Sequence, residues 1–469
     1  MRNAHERFMC FPSVVCVGKE TKVTVFPRDI SRAFDETKEY ELGVFGLWED
    51  QVDYHDPMPM EIPCTVSDGC LHFVCRFDRE QEYSVRFREK GAEKVTKVAM
   101  YAVKEDLYQL RPLKGDLHTH TYYSDGRDGV PMTPADYREE GFDFYALTDH
   151  NRMFTSVMQQ EVYQDVALGI CMLQGEELHT PGSGLHIVHV GGEQSVCDRY
   201  INDRENYEAE VTAIEAELQE VPEQYRHRLA SAKWACAQIK KVGGISILAH
   251  PFWRPDLYNL SEDFLNLLFD ARIFDAFELH NGGNCHVDNL QLGIWQEQAF
   301  KGNVMPTVAS SDSHDHDFAD YFARSFTVLF AKDNTRESIL EAIRSGYSVA
   351  AEIPRRDENE EHMFSPKFRL TAFARFLYDH YFNETWRLCV GEGILMRRYV
   401  QGEAVGDTLS ALAGTVKEFY ERFYGLAPAP TLPAERLAYL AKLKKAQQTC
   451  GLETSGSKLY LYGKNTRRE

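Results

Sequence analysis

Over residues 1–111 apolar and polar side chains tend to alternate, and the segments 21–26, 40–45, 71–77, 83–87 and 95–103 read as half-buried strands. Turn clusters such as Ser67-Asp68-Gly69 separate them. Several short strands with turns between them predict a small β-sandwich. From Leu113 the rhythm changes. Compact apolar runs at 144–147, 167–173, 186–190, 245–248, 274–279, 305–309 and 327–330 predict strands, and 134–140 and 335–345 predict helices. Strands alternating with helices predict a mostly parallel sheet, open or closed into a barrel, across residues 112–354.

Two stretches depart from that rhythm. Residues 205–220 are acidic, carry Val211, Ile214 and Leu218 at helical spacing and end at Pro222, and 225–242 form a second helical pattern stopped by Gly243-Gly244. Together they predict a helical hairpin inserted at about 198–242, beside or over the barrel mouth. Beyond 354 the charged run 355–362 reads as a linker. After it, 368–381, 409–424 and 434–448 read as helices, with a proline-rich connector at 427–433. Residues 355–469 are therefore expected to be a helical C-terminal appendage without chemistry of their own.

In such βα folds functional residues collect at the carboxyl ends of strands. Here metal-ligand residue types recur at the ends of apolar runs. Asp116-Leu117-His118-Thr119-His120 is followed by Ser124-Asp125-Gly126, and Thr148-Asp149-His150 by Gly175-Glu176-Glu177. His186 heads a strand, and Ala249-His250-Pro251 and Ser310-Ser311-Asp312-Ser313-His314 close two more. In an extended segment His118 and His120 point to one face and can grip one ion. The candidate ligands are His118, His120, Asp125, His150, Glu177, His186, His250, Asp312 and His314. At about four or fewer protein ligands per catalytic metal they imply two or three divalent ions. Imidazoles with carboxylates suit zinc, manganese or iron better than magnesium or calcium. Ions about 3.5–4 Å apart can bind a phosphoester oxygen and activate a water, so the expected nucleophile is a metal-bound water and no protein group.

Plainer roles compete for some of these residues. His150 could cap a turn, and His250, before Pro251, could be a structural turn residue. Asp116 and Asp149 are expected to orient His118 and His120 or to hold a loop. His179, His280, His286 and His316 are expected in surface or hydrogen-bonding roles. Arg127, Arg152 and Arg254 each follow a ligand motif closely, and an arginine can grip a phosphate with two parallel hydrogen bonds, so each is a candidate substrate contact.

The ordered series DLHTH, SDG, LTDH, GEE, AHP and SDSH resembles the polymerase-and-histidinol-phosphatase (PHP) family of metal-dependent phosphoesterases, over about residues 113–350. The resemblance implies a distorted seven-stranded β/α barrel with a di- or trinuclear centre. It assigns His118, His120, Glu177 and Asp312 to a first ion. Glu177 would bridge to a second, held with His186 and His250, and Asp125, His150 and His314 would hold a third. Many members carry histidine where this chain has Asp125. Aspartate there also occurs in branches resembling a nucleotide phosphoesterase and an aryl-carbamate hydrolase. Glu176 competes with Glu177, and His189 with His186. Glu177 is preferred for its place in G-x-E, and His186 for its place in the family's H-h-x-h-h strand.

Composition narrows the function classes. With 43% hydrophobic and 12% aromatic residues the 469-residue chain can fill more than one core. A net charge of -20 disfavours a large nucleic-acid duplex as partner. A small phosphorylated substrate remains compatible, because bound cations invert the charge of an acidic pocket. Eleven cysteines without a CxxC pair suit free thiols in a reducing cytoplasm. No signal-like segment and no long apolar run is read, so no membrane association is expected. The expected function is metal-dependent hydrolysis of a small phosphoester or nucleotide-type substrate. The alternatives are a carboxyl-ester or carbamate hydrolase and a non-catalytic metal-binding or interaction protein. Oligomer formation is open.

Overall fold

The computed structural model describes residues 7–48, 61–253, 260–282, 285–316, 322–353 and 361–449. In the N-terminal part, eight strands form: β1 (Phe8–Phe11), β2 (Val14–Cys16), β3 (Glu20–Pro27), β4 (Tyr40–Gly46), β5 (Cys64–Ser67), β6 (Cys70–Arg76), β7 (Gln81–Glu89) and β8 (Thr96–Val103). They pair as two four-stranded sheets, β1-β3-β6-β5 and β2-β8-β7-β4. The apolar half of each alternation, including Val23, Val25, Leu42, Phe73, Val85 and Met100, fills one shared core. β1, β2 and β5 were not among the expected strands. The first two lie in a nearly continuous apolar run, where period-two patterning is invisible.

The next strands build one large sheet: β9 (Arg111–Asp116), β10 (Phe144–Leu147), β11 (Cys171–Leu178), β12 (Ile187–Val190), β13 (Ile245–Leu248), β14 (Ala276–Asn281), β15 (Thr307–Ser310), β16 (Ser325–Ala331), β17 (Ser348–Glu352) and β18 (His362–Phe364). Their order is β15-β14-β13-β12-β11-β10-β9-β16-β17-β18. The sheet thus has ten strands, where seven were expected. β9–β11 and β13–β15 run parallel, but β12 is antiparallel to both neighbours. The link from β11 to β12 has no helix, and a parallel return needs a crossover, so the chain doubles back. β16 is antiparallel to β9.

The sheet curls until its two sides nearly meet. Across the seam the Thr327 hydroxyl donates to the Ala309 carbonyl at 2.8 Å and accepts from the Ala309 amide at 3.0 Å. The Ser348 hydroxyl donates to the Thr307 carbonyl at 2.7 Å. Side chains there satisfy backbone groups that a paired strand would otherwise take.

The inserted helices are present at Arg204–Ala216 and Glu223–Lys241, after a short helix Cys197–Asn202 that sequence patterning did not separate. They pack on the loop before His186: the Tyr207 hydroxyl donates to the Pro181 carbonyl at 2.7 Å and Arg228 to the Ser183 carbonyl at 2.8 Å.

The C-terminal helices are not an appendage. Phe368–Leu377 continues through a π-type turn into Asn383–Val400, a helix the sequence reading lacked, followed by Gly406–Leu412, Thr415–Phe423 and Ala434–Thr449. Leu370, Phe373, Phe376 and Met396 share one core with Phe11 and Tyr101 of the sandwich and Tyr137, Tyr145 and Val328 of the barrel. Tyr101 packs against Phe373 and Phe376 at ring distances of 4.9 and 5.2 Å. Arg138 and Glu392, both fully buried, form an ion pair at 2.7 Å. Of the run expected as a charged linker, 355–360 lie outside the described residues and His362 opens β18.

Candidate metal centre

Hydrogen bonds beyond the strand ends bring the ligand-type residues together. After β9 the chain stays extended through His118 and His120 and pairs with the segment after β15. The Asp312 amide donates to the His118 carbonyl at 3.0 Å, and the His120 amide to the Ser313 carbonyl at 2.9 Å. Asp312 itself takes a left-handed backbone, φ 50°, which is uncommon for a residue with a side chain. The segment after β10 pairs with β11 in the same way: the Asn151 amide donates to the Glu177 carbonyl at 2.8 Å, and the Glu177 amide to the Thr148 carbonyl at 3.1 Å.

Glu177, fully buried, lies at the centre. Its Oε2 is 2.7 Å from His150 Nδ1 and 3.3 Å from both His118 Nε2 and His120 Nε2. Its Oε1 is 2.7 Å from His186 Nδ1 and 3.4 Å from His250 Nε2. Asp312 Oδ1 lies 3.0 Å from His120 Nε2 and 3.4 Å from His118 Nε2, and its Oδ2 lies 3.8 Å from His250 Nε2. Further out, Asp125 spans His150 Nε2 and His314 Nε2, each at 3.2 Å. All nine predicted residues are therefore drawn together. The ligand atoms of His120, Asp125, His150 and His314 lie within 4.8 Å of one another, as do those of His118, His120 and Glu177, and those of Glu177, His186 and His250.

Residues that fit cations are what these atoms resemble. His118 Nε2, His120 Nε2, His150 Nδ1 and both Glu177 oxygens are buried, and none makes a hydrogen bond despite the short separations. Two ligands on one tetrahedral ion at about 2.0–2.2 Å sit roughly 3.3–3.6 Å apart, close to the 3.3–3.4 Å of four of these separations. Leaving such groups buried and unpaired costs several kcal/mol each, which shared cations would relieve. Burial opposes charge on Glu177, yet His118 and His186 beside it hold its carboxyl well below the usual range. Burial keeps His120 and His186 below the ordinary histidine value, the neutral form that ligates. Burial also opposes charge on His118, but Asp312, Glu177 and Glu278 outweigh it and raise that group.

The competing pairs separate cleanly. Glu176 and His189 point away from the centre and bond each other, Nδ1 to Oε1 at 2.9 Å, with Ser195 and the Val196 amide completing the carboxylate's partners. Asp116 accepts from the His118 amide, the Ser311 amide and the Tyr137 hydroxyl, so it holds the backbone rather than a ring. Asp149 accepts from the Thr121 amide, the Thr121 hydroxyl and Ser124, each at 2.7 Å, and fixes the loop. Arg127 pairs with Asp315 at 3.1 Å on the surface, and Arg152 is exposed. Arg254 and the side chain of His286 lie outside the described residues. His316 is buried between Asp128 and Asp136, at 2.8 and 3.1 Å.

One residue of the site, Glu278, is not singled out by the sequence, and another, His179, is given only a surface or hydrogen-bonding role there. Glu278, fully buried in β14, takes His118 Nδ1 at 3.1 Å with one oxygen. Its other oxygen takes the His250 amide and Asn281 Nδ2, both at 3.0 Å. A carboxylate inside an apolar strand was the available signal. His179 stacks on His186 at 4.0 Å and puts Nε2 3.9 Å from Glu177 Oε2. It lies in the loop after β11 with no motif around it.

No family profile matches the chain, and no curated protein does. Among solved structures it is similar to a two-domain protein from Bacteroides vulgatus containing a predicted PHP-like metal-dependent phosphoesterase. That match has 20% identity over 52% of this chain and 65% of the other, under two thirds of its length, with a TM-score of 0.37. A proposed metal-dependent phosphoesterase from Bifidobacterium adolescentis shares 16% identity over 45% of this chain and 90% of its own, with a TM-score of 0.33. An amidohydrolase from Chromobacterium violaceum, with bound sulfate and no metal, shares 19% identity over 44% and 89%, with a TM-score of 0.30. No described helix is long and apolar enough to cross a membrane.

Proposed function

We propose that this chain is a metal-dependent hydrolase of the PHP type, acting on a small phosphoester through two or three divalent ions. The observation that carries the reading is buried Glu177, whose two oxygens face separate imidazole sets. Such ions would supply Lewis acidity toward a phosphoryl oxygen and lower the pKa of a water in their shell.

The protein's own contribution is positioning. Glu177 and Asp312 fix the spacing of the two inner sites, and Glu278 holds the His118 ring so that Nε2 faces them. The third group is the accessible one: the side chains of His150, His314 and Asp125 are 22%, 35% and 54% exposed. Substrate enters on that side and meets the buried sites beyond it. His179, half-buried at this edge, is placed to give a proton to the leaving oxygen.

The test is turnover by protein loaded with manganese or zinc, using p-nitrophenyl phosphate, a phosphodiester and a carboxyl ester in parallel. Phosphoester turnover that disappears, together with bound metal, in His118→Ala and Glu177→Gln supports the reading. Unchanged activity in either variant refutes it, and turnover of the carboxyl ester alone transfers the site to the alternative chemistry.

A further inference from the structure

A second group of ligand-type side chains lies near the same end of the barrel, where β14 and β17 finish. His280, in β14, is 6% exposed, and neither of its ring nitrogens has a hydrogen-bond partner. Nδ1 lies 3.7 Å from Asp288 Oδ2 and 3.7 Å from Glu352 Oε2. Asp288 and Glu352 are 3% and 1% exposed. From the solvent side His362 brings its Nδ1 to 3.7 Å from the same Glu352 oxygen, with its side chain 54% exposed.

These separations are too long for hydrogen bonds. They are close to the roughly 3.3–3.6 Å between two ligands on one tetrahedral ion. Asp288 is already prepared on one side. Its Oδ1 accepts from the Asn281 amide at 3.0 Å and from Gln291 Nε2 at 3.1 Å, and Oδ2 is left toward His280 without a hydrogen bond. Burial pushes the Asp288 carboxyl up to about 7, and burial followed by the charge of Asp288 does the same to Glu352. Two crowded carboxyls beside a buried imidazole are relieved by a shared proton or by a cation. The shared proton leaves His280 Nδ1 unsatisfied, and a cation held between it and the two carboxylates would take its lone pair.

We infer that His280, Asp288, Glu352 and His362 form a separate binding site for one zinc- or manganese-class ion, distinct from the cluster around Glu177. Two imidazoles and two carboxylates suit those metals better than calcium or magnesium. The site is tied to the main centre by a short chain of bonds. Asp288 holds the Asn281 backbone, the Asn281 side chain donates to Glu278 Oε2, and Glu278 Oε1 faces the His118 ring. An ion on Asp288 thus steadies the carboxylate that orients His118.

The experiment is zinc binding by the full chain, stripped with chelator and dialysed against zinc alone, with metal counted per chain. Asp288→Asn, which keeps Oδ1 and the fold, should lose one equivalent. His362→Ala, on the surface, should weaken that equivalent at least tenfold. A His118→Ala/Asp312→Asn background should still bind zinc, and adding Asp288→Asn to it should lower the count by one further equivalent. Wild-type stoichiometry and affinity in Asp288→Asn and His362→Ala, or no loss of zinc when Asp288→Asn is added to the double-variant background, overturns the inference and leaves a proton-sharing carboxyl pair. A failure of the Glu177 centre reads differently: wild type would hold one zinc, indifferent to His118→Ala and lost with Asp288→Asn.

Discussion

Glu278→Gln changes one atom far from any solvent and should cost the metal centre dearly. The carboxylate accepts three hydrogen bonds, from His118 Nδ1 on Oε1 and from the His250 amide and Asn281 Nδ2 on Oε2. A glutamine has one acceptor oxygen. Keeping it on the side with two donors turns the amide NH2 toward His118 Nδ1. That nitrogen must then give up its proton and accept, which moves the ring proton to Nε2, the atom facing Glu177 and Asp312. The ligand lone pair is lost in that tautomer. The opposite orientation leaves two buried donors facing an NH2, at about 1–3 kcal/mol each. Losing the carboxylate behind a ligating histidine typically costs 10–100-fold in metal affinity or activity, about 1.4–2.8 kcal/mol. Competition with a chromophoric zinc chelator would read the first-bound ion directly, while circular dichroism checks the fold. An unchanged zinc affinity in a folded Glu278→Gln protein would refute the role given to this residue.

Three further outcomes are expected. His179→Gln should keep its metal and lower kcat about a hundredfold for alkyl phosphates but little for p-nitrophenyl phosphate, whose leaving group needs no proton; an equal effect on both would remove the proton-donor role. Glu392→Ala should destabilise the chain by about 3 kcal/mol in urea unfolding, because it leaves the fully buried Arg138 guanidinium with only the more distant Asp143 carboxylate, at 3.6 Å; a loss under 1 kcal/mol would contradict this. Arg369 holds the Asp106 carboxyl below its ordinary range and also pairs with Glu80 at 2.6 Å. A depressed carboxylate stabilises above its unfolded pKa of about 4 and loses that effect as pH falls through its folded value. Arg369→Gln should therefore cost about 1 kcal/mol at pH 6 and progressively less toward pH 3; a penalty that grows on acidification would reverse the sign.

The candidate site was legible largely because its ligand-type residues sit where strands end, in short polar words after apolar runs. His118, His150, His250 and Asp312 announce themselves in that way. Glu278 does not, since its meaning depends on a ring 160 positions earlier in the chain. His280 follows an apolar run as the ligands do, but its partners Glu352 and His362 come from β17 and β18, whose pairing no local pattern encodes. The choice between Glu176 and Glu177 was open to strand alternation only once β11 was known to run through both. The reversal of β12 followed from a helix-free link, a feature of length rather than of residue type. The C-terminal helices were recognisable as helices, but amphipathic patterning shows that a face is buried without showing against what.

That last point changes how the molecule should come apart. Phe373 and Phe376 stand between Tyr101 of the sandwich and the barrel wall, so these helices act as mortar between the two larger masses. Heating should give one cooperative transition rather than two, and chains cut near residue 354 should collect as insoluble aggregate. Lesions in this joint, remote from every histidine discussed, would then masquerade as catalytic defects by loosening the walls that hold the ions' cage in shape.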